Sequence, residues 1–80
     1  MKAKIHVTLK NGVLDVQGKA VQAGLSGLGF KGVGDVRVGR YVEIELDAKT
    51  KAAAEAEAKR MCEKLLANTV IENYRVEIAE

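Results

Sequence analysis

Residues 33–47, VGDVRVGRYVEIELD, restrict the fold more than any other part of the chain. Val36, Val38, Val42, Ile44 and Leu46 all fall on even positions, and Arg37, Tyr41, Glu43 and Glu45 on odd ones. Alternation of this kind marks an extended chain with one apolar and one polar side. A two-residue turn at Gly39-Arg40 would pair Val38 with Tyr41 and Val36 with Glu43, and so mix the two faces. A tight hairpin is therefore not expected. Either an odd-length loop or bulge resets the register, or the stretch runs as one long strand bent at Gly39. A single strand would reach about 50 Å at ~3.3 Å per residue. A compact domain of this size is only about 30 Å across. The overhang would then have to pair with another chain, which predicts a homo-oligomer.

The flanking elements follow from the same periodicities. From Lys2 to Lys10, Ala3, Ile5, Val7 and Leu9 share one face while Lys2, Lys4, His6, Thr8 and Lys10 share the other, a strand with one wet side. Asn11-Gly12 breaks it. A helix then starts at Asp15, whose carboxylate suits an N-cap. Val21, Leu25 and Leu28 form its apolar stripe, flanked by the small Ala20 and Gly24, and Gly27 and Gly29 end it. A second helix between Thr50 and Ala67 carries Ala54, Ala58, Met61, Cys62 and Leu65 on one face. Asp47 or Thr50 caps its start, and Asn68 in the left-handed conformation ends it. The last strand, from Asn73 to Ala79, turns Tyr74, Val76 and Ile78 inward. The order is β-α-β(β)-α-β. The expected fold is a single α+β domain over residues 1–80. Two helices lie on one face of a mostly antiparallel sheet, in a two-layer sandwich of ferredoxin-like or related kind, whose long central strand is shared in an oligomer.

"GLGFKG", residues 27–32, matches the glycine spacing of a dinucleotide-binding loop. That fingerprint works because a strand enters the glycines and a helix leaves them, so the phosphates meet free helix N–H groups. Here a helix enters and a strand leaves, at the carbonyl end of the dipole, so the glycines are read as a turn. His6 sits among lysines on the wet face with no second histidine at ligand spacing. Cys62 lies in the core stripe, where a buried thiol is inert. Glu43 and Glu45 read as the outer side of an amphipathic strand, and the charges between Lys51 and Lys64 as a solvated helix face.

Neither a metal cluster nor a disulfide is available with one cysteine. Lysine and arginine number 13 against 11 acids, so charge does not call for nucleic acid or a lipid surface. A base-stacking sheet needs aromatics, and of Phe30, Tyr41 and Tyr74 only Tyr41 has the parity of the open face. No apolar run approaches the roughly 20 residues that span a bilayer. A lone thiol without a signal sequence points to a reducing cytoplasm. No constellation supplies a nucleophile, base and oxyanion site together. The residues by themselves describe a partner-dependent α+β module, with a small-ligand regulatory module binding in a cleft between subunits as the alternative.

Three blocks, "NGVLDVQGKAV", "DVRVGRYVEIEL" and "CEKLLANTVIENYRVEI", jointly resemble the PurS-type small subunits of phosphoribosylformylglycinamidine synthase, a ligase of purine biosynthesis. The resemblance runs from about Ile5 to Ile78. Val16 stands where that family usually has proline, the residue favoured at a first helical position, and Asn11 stands where proline or an acid is common. The resemblance implies a non-catalytic role in a complex that uses ATP, magnesium and glutamine, with no cofactor held by this chain. Its partners would be a large synthase subunit, a glutaminase subunit and further copies of itself, as dimer or tetramer, joined so that ammonia passes between active sites. Asp15, Gln17 and Gly18 before the first helix, and Arg37, Gly39, Arg40 and Tyr41, are the expected docking residues. Asp15 and Gly18 also serve as a cap and a packing glycine, whereas tyrosine and arginine are enriched at interface centres.

Overall fold

The computed structural model describes residues Met1–Glu80 and has the expected element order. Strand β1 (Lys2–Leu9) leads to helix α1 (Val16–Gly27), then strand β2 (Arg40–Glu45). Helix α2 (Lys51–Met61) follows, continued by a π-helical turn (Cys62–Leu66), and strand β3 (Glu72–Ala79) ends the chain. The sheet is antiparallel throughout in the order β2-β1-β3. In register, Ile5 faces Val42 on one side and Val76 on the other. This places the apolar set of all three strands on one surface.

That surface meets α2. Ala3, Ile5 and Val7 are buried under Ala58, Cys62 and Ala67, and Val42, Ile44, Leu66, Tyr74, Val76 and Ile78 close the margins. Alanines at Ala54 and Ala58 let the helix lie close to the strands. Burying a side chain the size of Ile5 contributes about 1.5–3 kcal/mol, so a core of so few large residues is thin. Helix α1 adds none of these core side chains; only Gly18 of its residues is buried.

Residues 33–47 pass Gly39 without a hairpin, but only Arg40–Glu45 joins the sheet, and there as an edge; the central strand is β1. The expectation of one long central strand is corrected to a short edge strand preceded by an extended arm. Pairing ends at Val7↔Arg40, because the arm departs at Gly39. The alternation nevertheless continues through the arm: Val36 and Val38 are half-buried, Asp35 and Arg37 exposed. The molecule accordingly measures 49 × 26 × 14 Å with a radius of gyration of 15.8 Å. A compact chain of this length would have a radius near about 12 Å.

Two local expectations are also corrected. Leu65, placed by α-helical periodicity in the core stripe, is 84% exposed. The Ala67 N–H donates to the Cys62 carbonyl at 3.0 Å, an i→i−5 bond, and the wider turn brings Leu66 and Ala67 inward instead. Asn68 has no positive φ. It ends the helical segment as an Asx turn, its side-chain oxygen accepting from Val70 N–H at 3.2 Å.

The glycine-rich stretch is a helix terminus. The Phe30 N–H donates to Leu25 C=O and the Gly29 N–H to Ser26 C=O, both at 3.1 Å, with Gly29 at φ +93°. This is a Schellman cap on α1, which supplies carbonyls where a phosphate would need donors.

Candidate functional site

The sequence singles out two groups of residues, and the fold brings all of them but Tyr41 together where α1 starts and the arm enters β2. Asp15 is only 7% exposed. One carboxylate oxygen accepts from Gly18 N–H at 2.7 Å, the N-cap bond, and the other accepts from Val38 N–H at 2.8 Å. One side chain therefore begins the helix and also fastens the arm to it. The Gly18 N–H, the Val38 N–H and the nearby Arg37 charge hold the Asp15 carboxyl below the usual carboxylate range, against the opposing effect of desolvation.

Close backbone approach explains the glycines. A Cβ on Gly18 would lie 2.1 Å from the Val36 carbonyl oxygen, and one on Gly39 would lie 2.3 Å from that of Val7. No side chain fits at either place. The arm is held further by Arg37, whose Nη2 donates to the carbonyls of Leu9 (2.6 Å) and Lys10 (3.1 Å), and by Gln22, whose Nε2 donates to Gly34 C=O at 2.9 Å. The Arg37 guanidinium thus takes over carbonyls at the end of β1, where β2 no longer runs alongside.

Arg40 forms a second lock. Its Nη1 and Nη2 donate to the two oxygens of Glu72 at 2.9 and 3.0 Å, and Nη2 also donates to Leu66 C=O at 2.7 Å. Glu72 further accepts from Asn68 N–H at 2.7 Å. The Arg40 bonds, followed by the Asn68 N–H, pull the Glu72 carboxyl below its ordinary range. Start of β2, end of the π turn and start of β3 are joined at one point. Glu72 was not among the expected site residues. Its signal was there: it shares parity with the inward Tyr74, Val76 and Ile78, and an acid on an apolar row calls for a cation.

Gln17 is exposed and shares a recess of about 160 Å³ with Asp15, Gly39, Arg40 and Glu72, closed by Val7 and Thr8. Tyr41 stands apart, on the open face of the sheet. Its hydroxyl donates to Glu43 at 2.9 Å and its ring lies 4.9 Å from that of His6. Desolvation, then Glu43 and the Glu77 charge, push its hydroxyl above its usual value. His6 Nε2 is 3.6 Å from Glu77, which also pairs with Arg75. Lys2 pairs with Glu43 at 3.8 Å. The open face is a lattice of surface ion pairs, each worth about 0–1 kcal/mol. Cys62 is buried, and desolvation pushes its thiol up, away from the reactive thiolate.

Of the seven expected docking residues, five are thus occupied inside the chain: Asp15, Gly18, Arg37, Gly39 and Arg40 fix the arm and β2. Gln17 and Tyr41 keep exposed surface. Apolar side chains are also exposed in two places. Leu14, Val16, Val21, Leu28 and Phe30 surround α1, and Leu65, Val70 and Ile71 surround the exit from the π turn.

Comparison with known proteins places this architecture. A family model described as "PurS: Phosphoribosylformylglycinamidine (FGAM) synthase" matches residues 2–80. The PurS subunit of phosphoribosylformylglycinamidine synthase from Synechocystis is 53% identical over 75 residues, covering 94% of this chain and 75% of that protein. The structure of Bacillus subtilis PurS superposes with a TM-score of 0.86 at 49% identity, over 99% of this chain and 98% of that one. A chain in the structure of PurLQS from Thermotoga maritima matches with a TM-score of 0.87 at 32% identity, over 95% and 93%. On sequence and on fold alike, the chain belongs to the PurS family of phosphoribosylformylglycinamidine synthase subunits.

Proposed function

We propose that this chain is a non-catalytic assembly subunit of phosphoribosylformylglycinamidine synthase, acting in the cytoplasm. It joins an ATP- and magnesium-dependent large synthase subunit to a glutaminase subunit so that ammonia released from glutamine passes directly to its acceptor. The observation that carries this reading is the near full-length match to a chain of the Thermotoga maritima PurLQS structure. The chain's own chemistry supports it. Most polar side chains gathered at the start of α1 are spent on backbone and ion-pair contacts, while apolar side chains around α1, among them Leu14, Val16, Val21, Leu28 and Phe30, stay exposed. Holding the ammonia source beside its acceptor replaces a bulk encounter with a local one.

The same surface supports a homo-oligomer, since a monomer rarely leaves so much of one helix apolar and uncovered. Gln17 and Tyr41 are the polar residues we assign to contact with the larger subunits. Arg37, Arg40, Asp15, Gly18 and Gly39 act there by shaping the backbone. The test is reconstitution: glutamine-dependent synthase activity from the two larger subunits should require this protein. Equal activity in its absence would refute the reading.

A further inference from the structure

We propose that Cys62–Leu66 is a two-position switch. The π turn relaxes to an α-helical one by exchanging Leu66 for Leu65 in the core, and the Arg40–Glu72 pair decides which position is held.

The geometry of α2 shows why two positions exist. Successive side chains of an α-helix are about 100° apart. Counted from Cys62, the buried Ala58 and Ala54 then lie about 40° and 80° to one side, so the buried face centres on Ala58. Continued as an α-helix, the chain would bring Leu65 within about 20° of that centre and leave Leu66 about 80° from it. The bond from Ala67 N–H to Cys62 C=O, at 3.0 Å, spans five residues and narrows the step to about 80° per residue. Leu66 then takes the central place and packs on the core, while Leu65 turns out and is 84% exposed.

The exchange is cheap in packing. Both positions put a leucine on the same site, so the volume of the core is conserved. Apart from Leu66, the side chain uncovered is that of Ala67, a single methyl group. An α turn recovers the better-fitting i→i−4 bonds, since π turns are rare insertions in α-helices that often mark functional sites. The residue it releases passes into the turn at residues 68–70, which is already exposed.

What holds the π position lies outside the helix. Arg40 Nη2 donates to Leu66 C=O at 2.7 Å. Glu72, held at both oxygens by Arg40, accepts from Asn68 N–H at 2.7 Å. Winding the turn as α rotates the peptide groups of Leu66 and Asn68, and both contacts are lost. Arg40 directly follows Gly39, where the arm leaves the sheet, and is the last residue of β2 to pair with β1. A shift of the arm is thereby passed to the turn through one guanidinium and appears on the far surface as a swap of two leucines. Two sites are coupled in this way when both bias one two-state element.

NMR of the isotope-labelled full chain tests this, because the coupling across a hydrogen bond identifies the carbonyl that Ala67 N–H uses. In the parent chain that carbonyl should be Cys62. In Arg40→Ala it should be Glu63, with Leu65 in place of Leu66 showing contacts to the core. Glu72→Gln keeps the shape of the side chain but weakens the pair, and should show the two forms in exchange. Deleting Glu63 leaves an α turn with Leu66 still inward, and should give that single form with or without Arg40. Thermal melts at one protein concentration read the same switch independently. Leu65→Ala combined with Leu66→Ala should lower the melting temperature by more than the two single drops added, because either single variant keeps one leucine for the core. An Ala67 bond that stays on Cys62 in both Arg40→Ala and Glu72→Gln would overturn the switch, and so would strictly additive melts.

Discussion

Replacing Gly18 by alanine separates packing from helix propensity, because Gly27 in the same helix provides the reference. In an α-helix, alanine is favoured over glycine by up to about 1 kcal/mol. Around Gly27 nothing lies within 4 Å of the place a methyl carbon would take, so Gly27→Ala should gain some of that amount. At Gly18 the new Cβ would sit 2.1 Å from the Val36 carbonyl oxygen and 2.9 Å from Asp15 Cγ. Relaxed carbon–oxygen contacts are near ~3.3 Å, so the arm and the first turn of α1 must separate by more than about 1 Å. That opening stretches the 2.8 Å bond from Val38 N–H to Asp15 beyond hydrogen-bonding reach. Overpacking of this kind costs about 1–3 kcal/mol, and the propensity gain largely cancels between the two variants. Thermal melts at one fixed protein concentration should therefore place Gly18→Ala below Gly27→Ala by roughly 4–8 °C for each kcal/mol. Equal melting temperatures would show that the arm does not press on the helix, and would remove the basis for treating Asp15 and Gly18 as its anchor.

Other outcomes follow from the same contacts. Arg40→Ala leaves Glu72 and the Leu66 carbonyl without their shared donor, and should lower stability by about 1 kcal/mol in urea titration; Arg40→Lys should recover only part of it, since lysine cannot form the two-pronged contact. Asp15 and Glu72 have carboxyls held below their unfolded values, near about 3.9 and 4.3. Their contribution is complete above those values and is lost as pH falls through the lower folded ones, so melting temperature should drop on acidification below pH ~4. Asp15→Asn with Glu72→Gln should flatten that drop. Ile5→Ala empties the centre of a thin core and should cost about 2–5 kcal/mol, enough to unfold much of the chain at ambient temperature. The Cys62 thiol should react with a thiol reagent only as fast as the protein opens, and an immediate reaction in the native state would contradict its burial.

What could be read from the sequence was whatever local periodicity and peptide chemistry control. The strand faces of β1 and β3, the Asp15 and Thr50 caps and the absence of a hairpin at Gly39 all follow from rules that act within a few residues. So does the reversed polarity of the glycine turn. Leu65 and Asn68 were misplaced because a π turn depends on how Cys62 and Ala67 settle on the sheet, and no local signal in CEKLLAN requires it. The site was half legible for the same reason. Asp15, Gly18, Arg37, Gly39 and Arg40 stood out by residue type. Their occupation by Val38, Leu9, Lys10 and Glu72 depended on segments up to 32 residues apart meeting in space.

The order of elements and the identity of the apolar rows were determined by the sequence alone, since side-chain alternation and helix capping are set by neighbours along the chain. The tertiary structure decided that α1 is fastened at one end and left uncovered along its stripe. That outcome depends on where the Asp15 carboxylate finds its second donor, a contact between distant segments that no local pattern specifies.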